Sequence, residues 1–301
     1  MAQNLTVKNQ EIQVHTKVES PRMKMFKTMM GRLFQNKLAV AGGLFTFLLI
    51  FMAFFAQYLA PYEPSAQNYE EIMSPPSAAH WFGTDELGRD ILSRVIYGAQ
   101  VSLKAGLISV GIALAVGIPI GLISGYYRGF WDEFVIMRIT DAMLSFPPLV
   151  LALSLAAVLG AGLENAMIAI GIVLTPNFIR LIRAEVLAHR EREYVEAGRA
   201  TGLRDWRILL HHILPNTMAP IMVQATLAIA GAIISEASLS YLGLGTQPPT
   251  PSWGAMLAAG QGYLELAPWM ALFPGVFIFL TVMSINLFGD GIRDMLDPKL
   301  K

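Results

Sequence analysis

The chain runs again and again through long stretches of apolar residues, and no other feature limits its folding options as much. A helix needs roughly 17–25 predominantly apolar residues to cross a bilayer. Six runs qualify or nearly qualify: Leu38–Leu59, about Ala105–Tyr126 (or from nearer Val101), about Ile139–Leu159, about Ala166–Leu181, about Thr217–Ser235 and about Trp269–Phe288. The fourth is the shortest, although Leu163–Ile182 would reach the required length. Soluble domains carry about 25% charged and about 45–50% apolar residues. Here 15% are charged and 54% hydrophobic. The first run is too long for the apolar region of a signal peptide, and no small-x-small pair closes it convincingly. The expected fold is all-α: a polytopic membrane protein of about six transmembrane helices.

Lys and Arg orient such a chain, because loops rich in them stay on the cytoplasmic side. The N-terminal tail carries Lys8, Lys17, Arg22, Lys24, Lys27, Arg32 and Lys37. The segment after the fourth run carries Arg180, Arg183, Arg190, Arg192, Arg199, Arg204 and Arg207, whereas the connection between the fifth and sixth runs has no Lys or Arg. In the first loop acidic residues outnumber Arg89 and Arg94. Both termini are therefore expected in the cytoplasm. The organisation reads as a tail over residues 1–37, with a short interfacial helix near Met23–Phe34. A first span over 38–60 and an extracytoplasmic loop over 61–100 follow. A five-helix core over 101–301 then carries a charged cytoplasmic segment at 189–216.

The first outer loop opens with Pro61, Pro64, Pro75 and Pro76, which forbid a long helix. Leu87, Ile91 and Val95 then recur at helical spacing beside Ile96, with Arg89, Asp90 and Arg94 on other faces. That pattern predicts an amphipathic helix lying on the membrane before the chain dives. Residues 243–257 hold three prolines and several glycines, which predicts a rigid, non-helical loop. Prolines fall in the spans themselves (Pro119, Pro147, Pro148, Pro176, Pro220, Pro274), with Gly111, Gly117, Gly121, Gly171 and Gly231 as expected close-packing sites.

Chemistry is scarce. No Gly-Lys pair occurs, so there is no phosphate-binding P-loop. The absence of cysteine excludes disulfides and thiolate sites. The span interiors are nearly uncharged. Lys104, Arg138, Asp141, Glu236 and Asp290 sit near span ends and read as anchors or local pairs, Arg138 with Asp141 among them. Gly121-Leu-Ile-Ser124-Gly125 and Leu287-Phe-Gly289-Asp290 are near-misses of intramembrane protease motifs, and the five histidines form no zinc pattern. The chain is not expected to be an enzyme. A self-sufficient secondary carrier is the rival reading, and it would need ionisable groups deep in the bilayer.

The charged segment is the informative one. Glu191–Thr201 has good helix-forming composition, Gly202 interrupts it, Asp205–Leu214 resumes, and Pro215-Asn216 is expected to stop the helix before the fifth span. Ala197, Gly198, Ala200, Thr201 and Gly202 are small enough to admit a close neighbour. Glu196, Arg199, Arg204 and Asp205 frame them with groups able to make charge-assisted hydrogen bonds. Such a knuckle reads as a plug for a cytoplasmic partner.

Glu196-Ala197-Gly198, three residues, Gly202, nine residues, then His212-Ile213-Leu214-Pro215 resembles the EAA loop of ABC importer permeases, Glu-Ala-Ala-x3-Gly-x9-Ile-x-Leu-Pro. Gly198 and His212 depart from that pattern. Residues 80–103, 238–257 and 286–300 extend the likeness to the second permease subunit of dipeptide, oligopeptide, glutathione and nickel importers of the bacterial inner membrane. The resemblance implies a pore shared with a sister permease, two cytoplasmic ABC ATPase subunits that supply the energy, and an extracytoplasmic substrate-binding protein. Beyond these and membrane lipid it implies no cofactor, metal or nucleic acid. The implied cargo is a peptide, with glutathione, a nickel chelate or an opine as alternatives. Tyr194, Val195, Glu196, Ala197, Gly198, Arg199, Ala200 and Gly202, with Leu214 and Pro215, would couple to the ATPase. Gly83, Thr84, Asp85, Gly88, Arg89 and Asp90, with Gly245, Gln247, Pro248, Pro249, Pro251 and Trp253, would face the binding protein.

Overall fold

The computed structural model describes residues 30–31 and 34–296. The interfacial helix expected near Met23–Phe34 lies for the most part outside them. Helix α1 (Lys37–Phe54) starts where the Asn36 side chain accepts from the Ala39 N–H at 3.2 Å. A break at Phe55 leads into the short α2 (Ala56–Leu59). After a loop over residues 60–90, α3 (Ile91–Tyr127) runs for 37 residues, about 55 Å at 1.5 Å per residue. A π-helical turn, Trp131–Ile136, passes into α4 (Met137–Leu144), and α5 (Pro148–Leu159) follows. Next come α6 (Leu163–Arg190), α7 (Glu193–Ala200), α8 (Asp205–Ile208), a second π-helical turn (Leu209–Ile213) and α9 (Leu214–Tyr241). The described chain closes with α10 (Trp253–Gln261) and α11 (Trp269–Leu296). Among the described residues, five helices are long and apolar enough to cross a membrane, and the bent α4–α5 unit makes up to six.

Side-chain pairings give the directions. Along α3 and α6, Gly117 faces Phe178, Gly121 faces Ile182 and Gly125 faces Val186, so these two helices run parallel. The α4–α5 unit between them carries the chain back. Asn36 bonds Asp294 and Thr46 bonds Ser284, so α1 and α11 are antiparallel. Ile285 of α11 packs with Ala230 and Ile233 of α9, while Gly289 lies against Thr226. The described N- and C-terminal ends therefore sit at the same end of the bundle as residues 189–216. One apolar core fills the space between α3, α6 and α9, around Phe178, Ile182, Ile213 and Leu239. A second, around Ile91, Val95, Trp253 and Met270, lies toward the opposite end.

Several expectations change. Leu87 is not helical, and the segment read as an amphipathic surface helix is the start of α3 itself. The charges that suggested a wet face are turned into the folded loop over residues 61–90. Arg94 is buried and donates to the Pro64 carbonyl at 2.9 Å, and Asp90 caps α3 by accepting from the Ser93 N–H at 2.7 Å. The third span is not one helix: α4 and α5 meet at 100°, across Ser145–Pro147. Pro147 disfavours helix at the residue before it, and Pro148 suits a first helical turn. The fourth run extends to Arg190. Arg183 becomes tolerable there because Asp132 takes it at 2.7 Å, while Asp141 pairs with Arg180 at 2.6 Å, not with Arg138. Residues 243–257 turn helical from Trp253, where Ser252 caps α10. Gly111 and Gly231 have no neighbour within 4 Å of where a Cβ would sit, so they are not close-packing sites within this chain.

Candidate functional site

The segment 189–216 is built outward from a small apolar base. Helix α7 buries Val195 and Gly198, which rest on the core that also holds Ile208, Leu209 and Ile213. Its other face leaves Glu196, Ala197, Arg199 and Ala200 exposed. Glu193 and Glu196 lie in its first turn and Arg199 in its last, each the favourable charge for the helix dipole. Tyr194 is half-buried, and its hydroxyl lies 2.8 Å from Nδ1 of His189. Burial raises the Tyr194 phenol above its ordinary pKa.

Gly202 has a local reason to be glycine. Its φ is +77°, and it follows the helix in a left-handed turn. The Leu203 N–H bonds the Gly198 carbonyl at 3.1 Å and the Gly202 N–H bonds the Arg199 carbonyl at 2.9 Å. That pair of bonds is a Schellman stop. No atom lies within 4 Å of where a Gly202 Cβ would point, so the knuckle presents open space and not a filled contact.

The expected stop at Pro215-Asn216 does not occur. Pro215 sits in the first turn of α9, and helix continues from Asp205 to Tyr241. The π-helical turn over Leu209–Ile213 widens the ladder where Pro215 has no N–H to give. Leu214 packs against the core and Pro215 is exposed.

One residue with no sequence signal gathers the segment. Tyr126, near the end of α3, donates its hydroxyl to Asp205 Oδ1 at 2.7 Å. The Arg199 guanidinium lies over its ring, 5.2 Å from the centroid, and Arg190 donates to its carbonyl at 2.8 Å. Two residues earlier Ser124 donates to Asp132, which Arg183 grips with two nitrogens. The near-miss protease motif around Ser124 is therefore a structural tie.

At the opposite end the Gly83–Asp90 stretch is not an outward face. Gly83 packs against Trp269 and Gly88 against Asn68. Thr84, Asp85, Arg89 and Asp90 are buried. Asp85 Oδ1 accepts from the N–H groups of Leu87 and Arg89, both at 2.9 Å, and Oδ2 pairs with Arg89 Nε at 2.6 Å. Asp90 accepts from Ser93 and lies 2.8 Å from His80 Nδ1, whose Nε2 lies 3.1 Å from Glu71. Burial works against a charged His80, but the hydrogen bonds to Asp90 and Glu71 outweigh it and raise its pKa above the ordinary value. These side chains hold the loop's shape.

The Gly245–Trp253 loop divides. Gln247, Pro248 and Pro249 are exposed, whereas Gly245, Pro251 and Trp253 are buried. Glu236, expected as a terminal anchor, is fully buried. It accepts from Ser240 Oγ at 2.7 Å and Thr246 Oγ1 at 3.3 Å, which ties this loop to α9.

Comparison with known proteins agrees with this architecture. Residues 117–301 match the family described as Binding-protein-dependent transport system inner membrane component. Residues 24–76 match the N-terminal TM domain of oligopeptide transport permease C. The chain is 47% identical over 273 residues to the glutathione transport system permease protein GsiD of Pectobacterium atrosepticum, covering 90% of each chain. It is 47% identical over 282 residues to the dipeptide transport system permease protein DppC of Alkalihalophilus pseudofirmus, covering 94% of this chain and 91% of that one. The fold also matches a chain of the inward-facing MetNI methionine ABC transporter, with a TM-score of 0.57 at 18% identity, over 69% of this chain and 98% of that one. The family is one of transport, not of catalysis. With its bundle of spanning helices, its EAA-type segment and these relatives, the chain belongs to the binding-protein-dependent inner membrane components, the multi-pass permease subunits of ABC importers.

Proposed function

We propose that the chain is one half of the translocation pathway of an ATP-driven peptide importer, paired with a sister permease. Of two cytoplasmic ATPases, one would seat on α7 and its surroundings and the other on the sister permease, and an extracytoplasmic binding protein would deliver cargo to the exposed Gln247–Pro249 edge. Both termini then lie in the cytoplasm with residues 189–216, in keeping with the clusters of Lys and Arg there. The single observation that carries the reading is the two-sided character of α7. It buries Val195 and Gly198 and leaves Glu196, Ala197 and Ala200 exposed. A helix held firmly on one side and bare on the other suits a partner that pushes.

Glutathione and dipeptides are named for the two relatives at 47% identity, and glutathione is itself a tripeptide. A short peptide is the cargo class we infer. The test is liposome uptake of labelled dipeptide and glutathione by the chain with its sister permease, ATPases and binding protein. Uptake should require ATP and every subunit. Uptake by this chain alone, driven by an ion gradient, would establish the secondary carrier instead. Identifying the ligand on the binding protein then decides the cargo.

A further inference from the structure

Tyr126 is 5% exposed at the end of α3 and meets both arms of the segment 189–216. From α7, Arg199 stacks over the ring and brings Nε to 3.4 Å from the hydroxyl oxygen. From α8, Asp205 accepts the hydroxyl proton's hydrogen bond at 2.7 Å. The second contact is the stronger: it is short and charge-assisted, whereas the Arg199 bond is long and contributes chiefly as stacking. From α6, Arg190 holds the Tyr126 carbonyl. One side chain thus binds the parts of the segment on either side of Gly202, and its backbone binds the helix that leads into it.

Behind Tyr126 the structure is stiff. A Cβ on Gly117, Gly121 or Gly125 would stand 2.7–2.8 Å from Phe178, Ile182 or Val186, so α3 and α6 touch nearly backbone to backbone. The Ser124–Asp132–Arg183 tie closes the same end. Close-packed helices move as bodies and do not deform smoothly. A push on α7 therefore either turns the α3–α6 pair or breaks the contacts at Tyr126.

We propose that Tyr126 is a positioning residue for transport. Its hydroxyl fastens the two arms of the segment 189–216 to the α3–α6 pair, so that displacement imposed on α7 reaches the spans and is not absorbed at the Gly202 turn. The proposal rests on the reading of that segment as the ATPase contact. Tyr126 itself is too buried to form part of that contact.

The experiment uses the whole importer in liposomes, with dipeptide or glutathione as cargo. Tyr126→Phe keeps the ring and deletes the hydroxyl. Asp205→Ala deletes the acceptor, and Asp205→Asn keeps a carbonyl oxygen in its place. In Tyr126→Phe the ATPases should co-purify at wild-type level and go on hydrolysing ATP, while Asp205→Ala, exposed on the segment itself, is read only through cargo moved per ATP. Cargo moved per ATP should fall about fivefold or more, the scale of one lost hydrogen bond. The double variant should fall no further, because both changes remove the same bond. Asp205→Asn should keep most of the ratio. An unchanged ratio in Tyr126→Phe overturns the proposal. So does a loss of uptake that merely tracks loss of ATPases, since Tyr126 would then only keep the surface folded. Glu196→Ala is the control for the underlying reading. If it keeps full ATPase binding and uptake, that reading falls and this proposal with it. If it is defective while Tyr126→Phe is not, only the present proposal falls.

Discussion

The indole nitrogen of Trp253 donates to the main-chain carbonyl of Val95 at 2.9 Å, joining residues 158 positions apart. Trp253 is fully buried at the start of α10, and Val95 lies in the second turn of α3. Gly98 makes the approach possible, for a Cβ there would stand 2.6 Å from the indole ring. The loop carrying Gln247–Pro249 is thereby set on the end of α3 opposite the one that carries Tyr126.

Removing the indole should loosen that end. Trp253→Ala is expected to cost about 3–5 kcal/mol, as for other large buried aromatics. Trp253→Phe keeps most of the ring volume and loses the hydrogen bond, which contributes about 1 kcal/mol. Thermal melting of the purified chain in detergent should rank wild type above Phe and Phe above Ala. A Trp253→Ala protein that melts with wild type would show that the loop is held elsewhere.

The glycines make a sharper comparison. Gly121→Ala forces a methyl against Ile182 and should destabilise by about 1–3 kcal/mol. Gly111→Ala and Gly231→Ala meet nothing within 4 Å and should leave the isolated chain at least as stable as wild type. The same melting assay reads all three. Equal effects at the three sites would mean that helix propensity, not α3–α6 packing, sets the outcome.

The spans were legible because a bilayer imposes length and apolarity on each one separately. The EAA-type segment was legible because its spacing is local. What could not be read depends on distant partners. Leu87, Ile91 and Val95 do recur at helical spacing, but nothing nearby in sequence says that Arg94 turns inward to the Pro64 carbonyl. Glu236 stands near a span end in sequence, yet the loop bearing Thr246 folds back and buries it. Gly111 and Gly121 look alike as residues, and only the packing direction of α3 separates them. Tyr126 meets Arg199 and Asp205 across 73 and 79 positions, beyond any local pattern.

His80 gives the loop over residues 61–90 a pH dependence. Its pKa is raised in the folded chain by the hydrogen bonds to Asp90 and Glu71, against the effect of burial. A basic group with a raised folded pKa stabilises fully below its unfolded value, about 6.5, and that contribution is lost as pH rises through the folded value. Proteolytic resistance of residues 61–90 should therefore fall as pH rises above about 6.5. His80→Ala should be less resistant at about pH 6 and should lose most of the slope. An identical slope in the variant would place the titrating group elsewhere.

The final expectation separates fold from contact in the segment 189–216. Glu196 is exposed on α7, so Glu196→Ala should leave the melting temperature of the isolated chain unchanged. Gly202 is different, because its φ of +77° strains any residue with a Cβ. Gly202→Ala should cost about 1–2 kcal/mol, while Gly202→Asn, which tolerates that conformation, should cost less. Gly202→Leu adds bulk to open space, so any defect beyond the strain seen in Gly202→Ala must come from a partner that fills the space. A charge-assisted hydrogen bond lost with Glu196→Ala corresponds to about 1.5–3 kcal/mol, tenfold or more in docking. Pairing with the sister permease should survive in every variant, since the spans are untouched. The measurement is co-purification of the ATPases alongside cargo uptake. Glu196→Ala and Gly202→Leu should lose both, and Gly202→Asn should keep more of each than Gly202→Leu. Full ATPase retention with normal uptake in Glu196→Ala and Gly202→Leu would show that the exposed face of α7 meets only water.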